Sequence, residues 1–432
     1  MLAFFIPVAL SSLVAGLRNP VLDAGLARTS EPVLALAGFA AVSSLIFILH
    51  TSSQVQQSVF LVYANGRESF RRVTWFSVYG GLAACAVAVL ATLPLISDLL
   101  LEGAMGATPE VAEYSQPSLL VLMILVPPLM IARGFFQSLL LQRRQARRIT
   151  FSTIGGLLVL VPAGLLFVPL APINGALAAA IALVVVTVAE GAVLAYFAMS
   201  ELRANPYPVE ESAPLPSMGD LVRFGWPLLL SMLAMSGSAP LVTAGIFRLD
   251  DGVTAVAGFR VAWSIAVLGL SLTLAVRQTA LVMSKYPESH RQGRMFSAMV
   301  GVAVGAGTLL MTTGPIGDFV LLTVIGISPE IADQARPAAW VLATVPLLMG
   351  FRQFYISLLM HQGLSKRVGV GSVSRVIVMM VVIFAIAPFA PIAGAVMGAL
   401  ARLGGQLTET LISWHLGRAW FGQDPLSAAR KD

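Results

Sequence analysis

Apolar runs of about 20 residues or more alternate with short polar joints along the whole chain. Each run can cross a hydrocarbon core of about 30 Å as a helix, and the period-two alternation typical of a membrane β-barrel is absent. The pattern therefore predicts an all-α integral membrane protein with 12 transmembrane helices. The predicted helices span residues 3–26, 33–63, 73–97, 116–141, 149–168, 173–202, 220–247, 252–284, 296–318, 332–362, 367–388 and 391–417.

The first half of the chain is repeated in the second half. The matching pairs are, at a shift of 220 residues, Pro7 and Pro227, Pro20 and Pro240, Gly25 and Gly245, Arg28 and Arg248, and, at a shift of 219 residues, Arg133 and Arg352, and Glu190 and Glu409. A parallel duplication in a membrane protein predicts two similar lobes related by an axis along the bilayer normal. We therefore expect two lobes of six helices each.

A proline-rich polar stretch, RANPYPVEESAPLPSMGD, separates the two copies and reads as a linker. The predicted domains are an N-lobe (1–202), a cytoplasmic linker (203–219), a C-lobe (220–420) and a cytoplasmic tail (421–432). Because a proline inside a helix removes one backbone hydrogen bond, the first and seventh helices should bend near Pro20 and Pro240.

Composition agrees with the membrane assignment and narrows the chemistry. Hydrophobic residues make up 57% of the chain and charged residues 11%, against roughly 45–50% and about 25% in soluble domains. The single cysteine, Cys85, excludes a disulfide framework and a cysteine metal site. Hydrolase, metalloprotease and Walker motifs are absent from the sequence. We expect no enzyme activity, no catalytic or metal-binding residues, no cofactor and no direct use of ATP.

The distribution of basic residues predicts the orientation of the chain in the membrane. The net charge of +6 would suggest nucleic acid in a soluble protein, but here the even-numbered joints and the tail carry sixteen Lys and Arg residues and the odd-numbered joints carry three. Under the positive-inside rule both termini lie in the cytoplasm. We expect a monomeric multi-pass protein of the plasma (inner) membrane that binds no nucleic acid. The first apolar run lacks a basic n-region, so we interpret it as a retained helix.

Eight arginines lie within the apolar runs or at their edges. They are Arg18, Arg133, Arg223, Arg260, Arg277, Arg352, Arg375 and Arg402. Such residues cost roughly 2.5–3.5 kcal/mol each at the bilayer centre and normally face a bundle interior or a wet cavity. Arg223 is expected to reach the interface, and Arg277 has either this role or a functional one. The repeat mates Arg133 and Arg352 favour a structural role.

Arg18, Arg260, Arg375 and Arg402 have no counterpart in the other copy of the repeat. A structure common to both lobes therefore does not require them, and they are the primary candidates for binding a substrate. Several guanidinium groups with few compensating acids attract carboxylates or phosphates, which arginine binds bidentately. With Arg277, they form the predicted binding set for a small anion.

Acidic residues within the apolar runs are fewer than arginines. Glu190 and Glu409 are repeat mates, which favours ion pairs with an arginine of the same lobe. Asp23 follows Arg18 by five residues and could either carry a coupling proton or neutralise that arginine. His50 lies deep in the second apolar run, where it is either a coupling residue or a hydrogen-bonded buried histidine. Asp23, His50 and Glu409 are the candidates for coupling to H⁺ or Na⁺.

Several stretches resemble one protein family. They are SVFLVYANGRESFRR, FRLDDGVTAVAGF, LTVIGISPEIADQA and GSVSRVIVMMVVIFAIAPFAPIAGAVMGALARLGGQLTETLI. The chain resembles the progressive ankylosis protein family, within the multidrug/oligosaccharidyl-lipid/polysaccharide (MOP) exporter superfamily that includes the multidrug and toxin extrusion (MATE) proteins. The resemblance implies a rocking, V-shaped transporter with a central cavity that moves anions such as citrate, pyrophosphate or nucleotides. It also marks Arg375 and Glu409 as intramembrane positions matching the family.

The predicted function is therefore secondary export of small polyvalent anions by alternating access. Three alternatives stay open at this point. The first is a flippase for an anionic lipid-linked sugar, and the second is a multidrug exporter, which the scarcity of intramembrane acids disfavours. The third is a membrane scaffold without transport, which would leave the unpaired charges of one repeat copy unexplained.

Overall fold

The structure is a computed structural model that describes residues 12–14, 16–209, 215–283, 289–361 and 365–421. The described part of the chain contains α-helices, short π- and 3₁₀-helical turns and no strands. The main helices are α1 (Arg18–Leu26), α2 (Pro32–Tyr63), α3 (Arg67–Leu90), α4 (Pro109–Gln142), α5 (Ala146–Pro162), α6 (Gly175–Ala204), α7 (Met218–Ser236 and Ser238–Phe247), α8 (Gly252–Met283), α9 (His290–Leu310), α10 (Pro329–Leu342 and Val345–His361), α11 (Ser365–Met380) and α12 (Gly394–Gly417).

Each of the twelve predicted spans contains one of these helices; the first span, residues 3–26, is described only at residues 12–14 and 16–26. The all-α architecture is confirmed over the described residues. The length and hydropathy of these helices agree with a membrane protein: among the described residues, nine helices are long and apolar enough to cross a bilayer. They are α2 to α6 and α8 to α11. The chain is a multi-pass membrane protein.

Helices α3 and α9 begin six residues before the predicted starts at residues 73 and 296. The apolar pattern missed their first turns because these turns are polar. In α3 the hydroxyl of Ser69 accepts hydrogen bonds from the backbone N–H groups of Asn65 (3.1 Å) and Gly66 (2.9 Å). Donors that the helix itself leaves unpaired are satisfied in this way.

The structure shows a turn residue just before Pro20 and Pro240, and the predicted bend of the first and seventh helices at these prolines stays a prediction. Helix α1 is interrupted at Leu17 and α7 at Gly237, in each case three residues before a proline. Pro20 and Pro240 have no N–H group to donate to the carbonyl four residues earlier, so the helical ladder weakens there. The same defect therefore occurs at equivalent places in both copies of the repeat.

The duplication is also visible in irregular backbone. Helix α3 is followed by a short helix, Pro94–Asp98, and a π-helical turn, Leu99–Ala104. Helix α9 is followed in the same way by Gly314–Asp318 and the π-helical turn Phe319–Ile325. A hydroxyl at the start of the next helix accepts from a backbone N–H in both copies, Thr108 from Val111 at 3.4 Å and Ser328 from Ile331 at 3.5 Å. Sequence repetition thus extends to π-turns and caps, which composition alone does not show.

Contacts divide the chain into two compact units. One unit runs from Gly38 to Pro240. In it α4 packs against α3 and α6, and α5 packs against α6. Its core contains Val59 and Phe60 of α2, Val73 of α3, Leu139 of α4 and Leu221 of α7.

The other unit consists of residues 1–37 and 241–432. In it α8 packs against α1, α10 and α12, while α9 packs against α10 and α11 against α12. Glycines bring the backbones of α9 and α10 into contact. A Cβ on Gly301 would lie 2.8 Å from the carbonyl oxygen of Pro346, and a Cβ on Gly350 would lie 2.5 Å from the carbonyl oxygen of Ser297. This unit includes the described part of α1, whereas the domain boundaries predicted from the repeat place it in the N-lobe; those boundaries stay a prediction.

The second part of α7 lies against the π-helical turn Val381–Ile386 that follows α11. A Cβ on Gly245 would lie 2.1 Å from Cγ1 of Ile383. We expect Gly245→Ala to lower the free energy of unfolding by about 1–3 kcal/mol, because a well-packed interior does not accept an added methyl group. The measurement is thermal denaturation of the detergent-solubilised protein followed by size-exclusion chromatography.

Gly307→Ala is the matched control, because nothing lies within 4 Å of its added Cβ. Alanine has the higher helix propensity, so this variant should be as stable as wild type or slightly more so. Equal losses in both variants would contradict the packing of α7 on the π-turn.

Candidate functional site

The carboxylate of Asp23 on α1 is buried and paired with Arg260 of α8. The residue is 0% exposed, and Oδ1 lies 2.6 Å from Nη2 of Arg260. The hydroxyl of Ser264, one turn further along α8, also lies against the carboxylate. A buried charge needs a partner because the bilayer interior cannot solvate it. The sequence suggested Arg18 as one possible partner of Asp23, and the structure shows Arg260.

A second buried carboxylate, Glu409 of α12, is shared by two arginines. Arg352 of α10 forms an ion pair with it, and Nη1 of Arg375 on α11 lies 3.2 Å from Oε2. The hydroxyl of Ser372 donates to Oε1 at 2.9 Å. The expected pairing of Glu409 with an arginine of its own lobe is confirmed, and Arg375 is an additional partner.

Arg402 of α12 differs from these arginines in its surroundings. Its guanidinium lies 4.3 Å above the ring of Trp263 on α8, a cation–π contact. Among the residues that the structure describes, its buried Nε has no hydrogen-bond partner and no carboxylate lies within ion-pair distance. One turn later, Nε2 of Gln406 is also buried without a partner in the described part of the chain. Arg402 and Gln406 therefore present unused donors.

These contacts form one continuous set, which we call the arginine network. Arg260 and Trp263 lie one turn apart on α8, Trp263 contacts Arg402, and Arg375 packs beside Gly405, one turn from Arg402 on α12. The network joins α1, α8, α10, α11 and α12 within the unit of residues 1–37 and 241–432; its members are Asp23, Arg260, Trp263, Arg352, Arg375, Arg402 and Glu409. Its four arginines exceed its two carboxylates, so the network carries a net positive charge.

Arg18 and Arg277 complete the set predicted from the sequence. Arg18 is half-buried at the start of α1 in the same unit as the network. Arg277 lies in α8, but its side chain falls outside the described residues. The four arginines that lack a repeat mate, Arg18, Arg260, Arg375 and Arg402, thus all belong to one unit. Their role in binding a substrate stays a prediction.

The unit of residues 38–240 contains the other copy of the ion pair. Arg133 of α4 lies 3.1 Å from Glu190 of α6, as expected for repeat mates with a structural role. Gly156 occupies the position of Arg375, and a Cβ there would lie 2.4 Å from Cγ of Glu190. The side chain of Glu190 therefore packs on a glycine where Glu409 meets a second arginine. The extra positive charge exists in only one copy.

His50 of α2 belongs to this second polar cluster and not to the arginine network. It is close enough to Arg133 for the charge of that arginine to act on its ring. Its Nδ1 is buried and has no hydrogen-bond partner among the described residues. His50 is thus placed beside an ion pair that both copies share. The proposed coupling role of His50 is not tested by this geometry.

Three residues of the site were not singled out from the sequence: Trp263, Ser372 and Gln406. Two of them could have been found from the sequence, because they differ in residue type from the matching positions of the first copy. Trp263 corresponds to Ser43 and Gln406 to Thr187 in the first copy. Ser372 corresponds to Thr153, which also has a hydroxyl group, so the comparison of the two copies does not indicate that Ser372 belongs to the site.

Comparison with known proteins identifies the fold. No family model matches the sequence, and a search of curated proteins finds no match. Solved structures match over nearly the whole chain. An inward-facing multidrug resistance MATE family transporter of the MOP superfamily has a TM-score of 0.73 at 17% identity and covers 99% of both chains.

Two other solved structures show the range of proteins with this fold. The lipid II flippase MurJ, in an inward closed conformation, has a TM-score of 0.72 at 11% identity and covers 100% of this chain and 91% of that chain. A MOP superfamily transporter from Pyrococcus furiosus, whose reverse polarity of the binding pocket suggests a different function, has a TM-score of 0.64 at 16% identity, with 97% and 95% coverage. The chain has a MATE-like fold. The narrower resemblance to the progressive ankylosis protein family stays a prediction.

We expect the buried ion pairs to differ in how much each arginine contributes to stability. Arg133→Met and Arg352→Met should each lower the free energy of unfolding by about 3–5 kcal/mol, because each leaves a buried carboxylate without its main partner. Arg375→Gly, which installs the residue of the first copy, should cost less because Glu409 keeps Arg352 and Ser372. Denaturant titration of the purified protein measures the three values.

The control for removal of one positive charge is Arg336→Met. Arg336 pairs with Asp318 in a partly exposed site, 2.5 Å away, and such pairs contribute about 0–1 kcal/mol. If Arg375→Gly proves as destabilising as Arg352→Met, Arg375 is part of the structural pair and its separate role is refuted.

Proposed function

We propose that this protein is a secondary transporter that exports small polyvalent anions by alternating access. The observation that carries the proposal is the arginine network, in which arginines exceed carboxylates inside a membrane-spanning unit. Uncompensated arginine is costly in a membrane and is retained where it faces a wet cavity or a binding site. An anion would supply the missing negative charge.

Arg402 is the residue proposed to make the primary contact with the substrate. A guanidinium group binds a carboxylate or a phosphate through two parallel N–H donors. Trp263 supports one face of the Arg402 guanidinium, at 4.3 Å, which fixes the plane in which those donors point. Gln406, one turn away, would add a neutral donor. The substrate would therefore be recognised by a planar cation and a neighbouring amide.

The preference for a polyvalent anion follows from Arg375. This residue lies between Glu409, with which it is paired at 3.2 Å, and Arg402, on which its charge acts. A second acidic group on the substrate would bind Arg375. Glu409 could release Arg375 because it would stay paired with Arg352. Citrate, pyrophosphate and nucleotides each provide two or more acidic groups. Arg18, Arg260 and Arg277 would contribute further positive charge.

Coupling to H⁺ or Na⁺ is assigned to Asp23, Glu409 and His50. Asp23 and Glu409 are carboxylates held by arginines of the network, so any change in those ion pairs changes their affinity for a cation. His50 is placed beside the Arg133–Glu190 pair, where protonation would add a second positive charge. The substrate anion and the carboxylates would thus compete for the same arginines, and a carboxylate released by its arginine would bind the cation.

The second candidate function is flipping of an anionic lipid-linked sugar. The observation that favours it is the TM-score of 0.72 to the lipid II flippase over 100% of this chain. The arginine network would then bind the acidic group that joins lipid and sugar. A multidrug exporter, the function of the neighbour with a TM-score of 0.73, is a third candidate, which the excess of arginine over acid disfavours because it would repel organic cations.

The test is uptake of labelled citrate, pyrophosphate and ATP into proteoliposomes, with imposed pH or Na⁺ gradients of both directions. Arg402→Leu installs the residue of the first copy, Leu183, and should reduce uptake about 10- to 100-fold, as expected for loss of a charge-assisted hydrogen bond. Arg402→Lys, which keeps the charge without the planar fork, should give an intermediate rate.

Arg336→Leu is the control, because it removes the same charge outside the network and should transport like wild type. Absence of transport of all three anions by wild-type protein would refute anion export. Transbilayer movement of a fluorescent lipid-linked sugar in the same vesicles would favour the flippase, and uptake of organic cations would favour the multidrug exporter.

We further propose that both termini lie in the cytoplasm, on the basis of the alternating basic joints, and that the protein is a monomer of the plasma (inner) membrane. In a Cys85→Ser background, Glu330→Cys at the start of α10 should react with a membrane-impermeant maleimide in intact cells. Arg147→Cys at the start of α5 should react only after lysis. The opposite labelling pattern would reverse the orientation. Both positions are exposed in the structure.

A further inference from the structure

A groove lies between the start of α3 and the start of α7, both within the unit of residues 38–240. Its volume is about 550 Å³, and its lining combines charge with apolar surface: Glu68, Arg71, Arg72, Trp75 and Met218. A second groove of about 580 Å³ runs along α7 and is almost entirely apolar; its lining is Met218, Gly219, Val222, Arg223, Trp226 and Pro227. Because Met218 lines both, the two grooves adjoin, and we call them together the α3–α7 groove.

The α3–α7 groove is positively charged at one end. Arg71 is paired with Glu68 at 3.0 Å, yet its side chain is 70% exposed. Arg72 lies 3.7 Å from the same carboxylate and donates to the carbonyl oxygen of Pro216 at 3.0 Å. Asp220 is occupied by the N–H and hydroxyl groups of Ser217. Arg223 lines the adjoining apolar groove. Three arginines therefore line the α3–α7 groove together with one carboxylate, Glu68, which already accepts a hydrogen bond from Arg71.

The other end of the groove is apolar and open. Val222 and Trp226 are 54% and 57% exposed there, and Trp75, which lines the charged groove, is 50% exposed. Trp75 also stacks on Tyr79 of α3, with the ring centroids 5.7 Å apart. Aromatic residues next to arginines at the end of membrane helices are typical of the level at which lipid headgroups meet acyl chains. The groove therefore spans a charged and an apolar environment.

We propose that the α3–α7 groove binds an anionic phospholipid. Its phosphate would be held by Arg71, Arg72 and Arg223, and one acyl chain would lie along Met218, Val222 and Trp226. Clusters of arginine at the membrane surface attract anionic headgroups, each basic residue contributing about 1 kcal/mol. A free phosphate would use only the charged end, whereas a phospholipid matches both ends, and this complementarity selects the lipid.

The repeat supplies variants that the fold accepts. In the second copy Arg291 corresponds to Arg71, whereas Gln292 stands in place of Arg72 and Met295 in place of Trp75. The double variant Arg72→Gln/Trp75→Met therefore gives the first copy the residues of the second. Arg291→Gln/Met295→Ala changes the matching surface of α9 and is the control. Both sites lie at the first turns of their helices.

The experiment is native mass spectrometry of the protein purified in a mild detergent and titrated with phosphatidylglycerol or phosphatidylcholine. Wild type should bind one phosphatidylglycerol in preference to phosphatidylcholine. The Arg72→Gln/Trp75→Met variant should bind it roughly tenfold more weakly, and the control variant should bind like wild type. Arg223→Gln, which leaves α3 unchanged, should also weaken binding and serves if the double variant is not monodisperse.

Three results would overturn the proposal. Equal binding of the two lipids by wild type would show that the groove does not recognise the negative charge. Equal loss in the control variant would place the lipid elsewhere. Displacement of the lipid by glycerol phosphate or inorganic phosphate at millimolar concentration would assign the arginines to a free phosphate instead.

Discussion

The structure depends on the neutralisation of charge in a part of the chain that water and lipid headgroups do not solvate. Asp23, Glu190 and Glu409 are each almost fully buried, and each is bound by an arginine from another helix. Such pairs fix which helices must be adjacent: α1 to α8, α4 to α6, and α10 and α11 to α12. Apolar packing alone leaves neighbouring helices less specified in a membrane, because lipid tails are as apolar as leucine.

The two copies of the repeat use this constraint differently. Both contain one arginine and one glutamate in the same places, and each pair balances its own charge. The second copy adds Arg375 and Arg402, and in it Trp263 supports the guanidinium group of Arg402. The shared residues therefore account for architecture, whereas the added residues account for the excess charge from which a function is proposed.

The sequence could predict the helical spans, because each is a long apolar run. It could also predict the irregular backbone near Pro20 and Pro240 and the ion pairs of Glu190 and Glu409, because the repeat places the same residue types at matching positions of the two copies. The Asp23 to Arg260 pair could not be predicted, since its partners are 237 residues apart and no periodicity links α1 to α8. The first turns of α3 and α9 were missed because they are polar, and the π-turns were missed because their residues do not differ in hydropathy from the rest of the span. Trp263 and Gln406 are uncharged, and a search restricted to charges passed over them.

Gly156 limits how the two copies can diverge further. The side chain of Glu190 fills the space that a Cβ at Gly156 would need, with Cγ only 2.4 Å away. The equivalent position of the second copy is Arg375, whose side chain forms an ion pair with Glu409. Exchange of residues between the copies is therefore not symmetric. Any side chain at position 156 would have to displace Glu190, whereas Arg375→Gly removes a side chain without a clash.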